Sequence, residues 1–142
     1  MELVRHLLAN KPVGVVSIPP DATVLEAIRL MAQHETGSVL VMRGRILLGI
    51  VSERDYTRKV ALKGRASATT SVADIMTSPV VTVGPDETVQ RCMQVMTERR
   101  FRHLAVVENG QVTGVVSIGD LVKAMLELQK QEIAQLQQYI SS

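Results

Sequence analysis

The sequence predicts an α/β fold built from two pseudo-symmetric β-α-β-β-α repeats packed through their sheets. Three observations predict it. Residues 15–56 and 80–121 align without a gap at a constant offset of 65, and 12 of the 42 pairs are identical, from Val15/Val80 to Asp55/Asp120. Ordinary composition gives about three identities by chance. β-branched runs alternate with helix-period apolar stripes within each copy. The same turn residues, Pro20-Asp21 and Pro85-Asp86, punctuate both copies at the same point. Two copies of one unit that face each other enclose a cleft, which is the place to look for a ligand.

Glu2–Asn10 carries Leu3, Val4, Leu7 and Leu8 at helical spacing and is closed by Lys11-Pro12. Val13–Ile18 reads as a strand, broken by Pro19-Pro20-Asp21. Asp21 or Thr23 caps the next helix, whose buried face is Val24, Ala27, Ile28 and Met31. Ser38–Met42 and Ile46–Val51 are strands around Arg43-Gly44-Arg45, and a helix runs from Ser52 to about Lys63. Lys63–Ser71, rich in small and polar residues, reads as the linker between halves. After a short helix at Val72–Met76 the pattern repeats. It gives strand Val80–Val83, helix Thr88–Arg99, strands His103–Val107 and Gln111–Val116, and a last helix from Ser117. The expected domains are 2–65, 72–126 and a helical extension over 127–142. Along that extended helix Val122, Leu126, Ile133, Leu136 and Ile140 recur at coiled-coil steps, with Gln129 at the missing seam position.

Bulk composition excludes several function classes. The chain has 142 residues, 46% of them apolar, but only one Phe, two Tyr and no Trp, so a stacking platform for single-stranded nucleic acid is not expected. A formal charge of +2 does not argue for nucleic acid or membrane. The lone Cys92 excludes an internal disulfide and any Cys-built metal site, and its place in a helical stripe makes it a small buried hydrophobe. His6, His34 and His103 lack metal-ligand spacing. No apolar run approaches the ~20 residues of a membrane span, and no signal peptide is visible at Met1–Asn10. A cytoplasmic setting is the expectation.

The chemistry concentrates in two segments, Gly49-Ile50-Val51-Ser52-Glu53-Arg54-Asp55 and Gly114-Val115-Val116-Ser117-Ile118-Gly119-Asp120. Each is a buried strand that runs into Ser-x-x-Asp. Met once, this is a helix cap worth on the order of 1 kcal/mol. Met twice, in the same phase, it has a second meaning. A strand end joined to a helix N-terminus presents free N–H groups that favour phosphate. A carboxylate one turn in can accept bonds from the two vicinal hydroxyls of a ribose. The two roles are compatible.

The order Val-x-Val, Pro-Asp-x-Thr-Val, a mid-helix Met, an apolar strand and Gly-h-Val-Ser-x-x-Asp resembles the cystathionine β-synthase (CBS) domain, and the pair resembles a Bateman module over about residues 2–126. Val72–Thr77 resembles the helix that introduces such a domain, and Glu53-Arg54-Asp55-Tyr56 is similar to a small stand-alone bacterial subgroup. The resemblance implies binding of adenosine nucleotides (AMP, ADP, ATP, sometimes NAD or S-adenosylmethionine) in clefts between the halves, without catalysis. It implies one site with Ser52, Asp55, Thr82, Val83, Arg102 and His103, and a second with Ser117, Asp120, Ser17, Ile18, Gly37 and Ser38. Strand backbone at Ile18 or Val83 would read the adenine edge. The family often has Pro in its middle strand and Asp after it, where this chain has Leu40, Ala105, Met42–Arg43 and Val107–Glu108.

At offset 65 Arg102-His103 correspond to Gly37-Ser38, and Arg54 to Gly119. The first site is therefore expected to hold the phosphate-binding cations and to suit polyphosphates or dinucleotides, the second AMP or a nucleoside. The expected protein is a homodimeric regulatory module that needs no metal and signals to an unidentified partner protein. The alternative is a ligand-independent dimeric interaction module with vestigial clefts. An enzyme would need a base or metal near the phosphates, and the sequence supplies neither.

Overall fold

The computed structural model describes residues 2–11 and 14–141, and its element order repeats at the offset seen in the sequence. After helix α1 (Val4–Ala9) come β1 (Ser17–Ile18), α2 (Val24–His34), β2 (Ser38–Arg43), β3 (Ile46–Ser52) and α3 (Glu53–Tyr56), which continues into a wider turn over Thr57–Ala61. A single 3₁₀ turn covers Val72–Asp74. Then follow β4 (Thr82–Val83), α4 (Val89–Arg99), β5 (His103–Glu108), β6 (Gln111–Ser117) and α5 (Ile118–Ser141). Each repeat makes its own three-stranded sheet, β1-β2-β3 and β4-β5-β6. β1 runs parallel to β2 and β4 parallel to β5, while β2 and β3 form an antiparallel hairpin. The first strand of each repeat is shorter than the sequence suggests. Its parallel pairing covers two residues, Ser17↔Leu40 and Ile18↔Val41 in one copy, Thr82↔Ala105 and Val83↔Val106 in the other. Val13, the expected start of the first strand, lies outside the described residues.

The local chemistry of each copy is the same. Thr23 Oγ1 accepts the Glu26 amide at 3.1 Å, and Glu26 Oε2 accepts the Thr23 amide at 3.0 Å, which starts α2. Thr88 Oγ1 likewise accepts the Arg91 amide at 3.1 Å and starts α4. Both helices stop at a left-handed residue, Glu35 (φ 51°) and Arg100 (φ 59°). α2 buries Val24, Ala27 and Met31 in one cluster with Val39 and Val41, and α4 buries the corresponding Val89, Cys92 and Met96 in the unit that holds Leu104-Ala105-Val106. Burial, with the nearby charge of Glu87, pushes the Cys92 thiol up to about 11, so it is an inert packing group.

The chain divides into two compact units, and the division does not follow sequence order. One unit joins the residues up to Lys11 to Thr82–Glu108 and to the residues from Gly114 onward; the other holds the chain after Lys11 as far as Val81, together with Asn109–Thr113. The segment that precedes each repeat thus packs on the other repeat. In the second-repeat unit the Val4 amide donates to Glu87 O (2.9 Å), the Arg5 amide to Pro85 O (2.9 Å) and the Val89 amide to Glu2 O (3.1 Å). In the first-repeat unit Val72 donates to Ala22 O (2.9 Å), Ala73 to Pro20 O (3.2 Å) and Val24 to Thr70 O (2.8 Å). The acceptors Ala22/Glu87 and Pro20/Pro85 are repeat equivalents, so α1 is to the second repeat what 70–73 is to the first. Helix α1, which the sequence attaches to residues 12–65, belongs to the other unit, and Val72–Thr77, read as introducing the second repeat, packs on the first.

Both docking contacts close over a glycine. A Cβ at Gly49 would lie 2.6 Å from Met76 Sδ and 3.0 Å from Thr77 O, and a Cβ at Gly114 would lie 2.6 Å from Leu8 Cδ2. Gly49→Ala and Gly114→Ala are each expected to destabilise the protein by about 1–3 kcal/mol. Gly49→Ala should cost more, since a backbone oxygen cannot swing aside. Gly84→Ala, where nothing lies within 4 Å, serves as the near-neutral control in urea denaturation.

Candidate functional site: two Ser-x-x-Asp caps

Both motifs occupy the junction of the last strand of a sheet with a helix. Ser52 leaves β3 extended (φ −119°, ψ 168°) and caps α3. Its Oγ accepts the Asp55 amide at 3.2 Å, and Asp55 Oδ2 accepts the Ser52 amide at 2.9 Å and the Ser52 hydroxyl at 3.1 Å. In the second repeat Ser117 Oγ accepts the Asp120 amide at 3.1 Å and Asp120 Oδ2 accepts the Ser117 amide at 2.8 Å. The neighbouring loop is tied in the same way twice. The Glu53 amide donates to Gly37 O at 3.1 Å and the Ile118 amide to Arg102 O at 2.9 Å.

The fold therefore brings together, within one unit, Ser52, Asp55, Gly37, Ser38, Ser17 and Ile18. Ser38 pairs directly with Ser52 across β2 and β3, and β1 lies on the far side of β2. Within the other unit it brings together Ser117, Asp120, Arg102, His103, Thr82 and Val83. Ser38 and Ile18 are each 5% exposed and Asp55 is 9% exposed, whereas Ser17, Thr82 and Arg102 face solvent. Arg54, next to Asp55, is half-buried.

The two carboxylates differ in what surrounds them, and sequence reasoning missed the difference. Both oxygens of Asp55 are engaged. Oδ2 holds the cap, while Oδ1 forms an ion pair with Lys59 Nζ at 3.1 Å and accepts the Thr77 hydroxyl at 3.4 Å. Lys59 also donates to Ile75 O at 2.8 Å. Its repeat equivalent is Ala124, so Asp120 has no such helix partner. Its cation comes instead from the end of the docked α1 segment: Lys11 Nζ lies 2.8 Å from Asp120 Oδ2 and 2.7 Å from Val115 O. Among the described residues, every hydrogen bond that Asp120 accepts falls on Oδ2. Lys59 was legible as an i,i+4 partner of Asp55. Lys11 was not, since it stands 109 residues from Asp120 and ahead of the other repeat.

Burial raises the Asp120 pKa, but the hydrogen bond from Lys11, the Ser117 amide and the Lys11 charge outweigh it and hold the carboxyl below its ordinary 3.8. Among the described residues no group of three or more His, Cys, Asp or Glu side chains could hold a metal ion, and no helix is long and apolar enough to cross a membrane.

The doubled strand-cap unit, its two β-α-β-β-α copies and the matching caps point to one family, and the CBS domain model matches residues 4–62 and 72–127. The chain belongs to the CBS domain family. It is 42% identical over 125 residues to the mitochondrial CBS domain-containing protein CBSX3 of Arabidopsis thaliana; the match covers 84% of this chain and 61% of that protein, so the chain spans less than two thirds of it. It is similar to a proposed signal-transduction protein with CBS domains from Burkholderia ambifaria, at 42% identity and a TM-score of 0.83 over 88% of this chain and 94% of that one. A CBS domain protein from Pyrobaculum aerophilum, solved in complex with AMP, matches at 28% identity and a TM-score of 0.75 over 90% and 98% of the two chains. The tandem α/β CBS architecture read from the sequence is the observed one.

A depressed carboxylate pKa stabilises the fold above the unfolded value and loses that contribution as pH falls through the folded value. The Lys11–Asp120 pair should therefore contribute fully above about pH 5 and be lost towards and below 3.8, the ordinary value. Lys11→Met is expected to lower stability by about 1–2 kcal/mol at neutral pH. It should also flatten the acid limb of stability against pH, measured by urea unfolding at stepped pH.

Proposed function

We propose that this CBS domain protein is a regulatory module that binds adenosine nucleotides through its two Ser-x-x-Asp junctions and signals to a partner protein. One observation carries the reading. The same serine hydroxyl, helix N-terminus and capped carboxylate recur at the same place in both units, with a buried strand behind each. A single cap stabilises a helix; two equivalent ones, each with a cation on the aspartate, form matched grips for a ribose and its phosphate. The AMP complex of the Pyrobaculum relative supports the ligand class. AMP, ADP, ATP and NAD are the candidate ligands, with Ser52, Arg54, Asp55, Ser117 and Asp120 as the polar contacts and Ser17, Ile18, Gly37, Ser38, Thr82, Val83, Arg102 and His103 as the strand and loop contacts. The protein acts by binding, without metal or catalysis.

A second reading has its own observation. In α5 every residue from Gln129 to Ser141 is exposed, and the seam residues Leu126, Ile133, Leu136 and Ile140 are 53%, 56%, 62% and 81% exposed. Leu126, Ile133 and Ile140 fall at one seam position and Val122, Gln129 and Leu136 at the other, a mainly aliphatic stripe suited to pairing with a second helix. We propose a homodimer through this stripe. If pairing is the whole function, the caps are only caps.

Thermal denaturation with AMP, ADP, ATP and NAD separates the two readings. A ligand at a hundredfold over its dissociation constant should stabilise the fold by ~2.7 kcal/mol. Asp55→Ala and Asp120→Ala should each weaken binding by about 1.5–3 kcal/mol at their own junction. A flat response to all four nucleotides would leave only the dimer reading. The double variant Leu126→Lys, Ile133→Glu should sediment as a monomer and still respond to nucleotide.

A further inference from the structure

Lys11 is the residue that neither the repeat nor the motif accounts for. It stands at the end of the segment that carries α1, is partly buried, and reaches Asp120 and Val115 O. A lysine ammonium carries three donors. Two of them are given to Val115 O and Asp120 Oδ2. Among the described residues nothing takes the third, and nothing donates to Asp120 Oδ1. A cation with one open donor and a carboxylate with one open oxygen therefore sit side by side.

They share a groove. Lys11, Asp120 and Lys123 line a cleft of about 440 Å³ with Leu7 and Ala124 among its apolar walls. That volume is within the ~300–1,000 Å³ of small-molecule sites. Ala124 stands where the first repeat has Lys59, so the position four residues after Asp120 leaves the space beside it open. The remaining charged residues of the lining are Glu2 and Glu127. With two ammonium groups and three carboxylates the groove has a slight net negative charge, so a phosphate there depends on direct contact with Lys11, and repulsion grows with each phosphate added beyond one.

We propose that Lys11 is the phosphate-reading residue of the Asp120 site, and that it makes this site selective for a nucleoside monophosphate. The inference rests on the nucleotide reading above. A sugar diol donates to Asp120 Oδ1, and the single phosphate accepts the third Lys11 N–H. The existing ion pair stays intact, so binding need not first break it. The segment that carries α1 becomes part of the ligand site, which ties occupancy to the docking of that segment on the second repeat. The first repeat lacks this arrangement: Asp55 Oδ1 already faces Lys59 and the Thr77 hydroxyl, and its own docked segment presents the neutral Thr77 in place of a lysine.

The test is calorimetric titration of AMP, ATP and adenosine into the full chain carrying Asp55→Asn, which silences the other junction. AMP is expected to bind at least tenfold tighter than adenosine and tighter than ATP. Adding Lys11→Met should weaken AMP about tenfold and leave adenosine within twofold, which removes the preference, and Lys11→Arg should restore much of it. Melting curves of each variant confirm that the fold survives. If Lys11→Met tightens AMP, the lysine is a plug and the proposal falls; equal AMP affinity with and without Lys11 also overturns it. Failure of AMP, ATP and adenosine alike to bind the unsubstituted chain would instead overturn the nucleotide reading, and this inference with it.

Discussion

A helix that starts directly from a buried strand begins with amide donors that have no partner. Ser-x-x-Asp solves this with two side chains. The serine oxygen takes the amide one turn on, and the aspartate returns to take the serine amide. The solution fixes the aspartate within reach of the strand end and, in the first repeat, buries it. A carboxylate held there needs a cation or hydroxyl nearby, because burial alone disfavours its charged form. The arrangement around both junctions follows from that one requirement. The first repeat meets it with Lys59 and Thr77, and the second with Lys11.

The exchange of entry segments gives this requirement its reach. Each segment covers a glycine in the last strand of a sheet, Gly49 or Gly114. It also hydrogen-bonds the turn before the first helix of that repeat. Since each segment precedes the other repeat, neither sheet is completed by chain adjacent to its own first strand. Residues 2–65 and 72–126 are therefore sequence repeats whose bounds differ from those of the two compact units. Arg5 adds an ion pair to Asp86 of the same turn, which is exposed and worth little by itself. The docking rests on the backbone bonds and on Val4, which is fully buried.

Much of this was legible in the sequence because it is local. Helix caps at Thr23 and Thr88, the hairpin turns, the stripe Val24-Ala27-Met31 and the two motifs each depend on residues a few positions apart, and a repeat at constant offset reports them twice. The short first strands were over-read as four to six residues. β-branched composition marks extended chain, whereas strand length is set by how far the neighbour runs alongside, here two residues. The ownership of α1 was hidden for a different reason. Leu3, Val4, Leu7 and Leu8 announce an apolar face but not which sheet it covers. The structural correspondence of 2–11 with 70–79 runs at an offset of 68 rather than 65 and shares little sequence.

The partners of the two aspartates show where a repeat-based reading stops. Duplication preserved the strand, the serine and the carboxylate, which the backbone requires, and left the neighbouring cation open to change, since any ammonium within about 3 Å serves. Replacing a lysine on the same helix by one on a docked segment leaves the charge balance of the junction similar but alters its mechanics. Lys59 sits in the wider turn that continues α3, four residues from the aspartate it serves. Lys11 reaches Asp120 through the packing of α1, so the second junction has its cation only while that segment is docked. The pseudo-symmetry thus ends at the residues that carry charge.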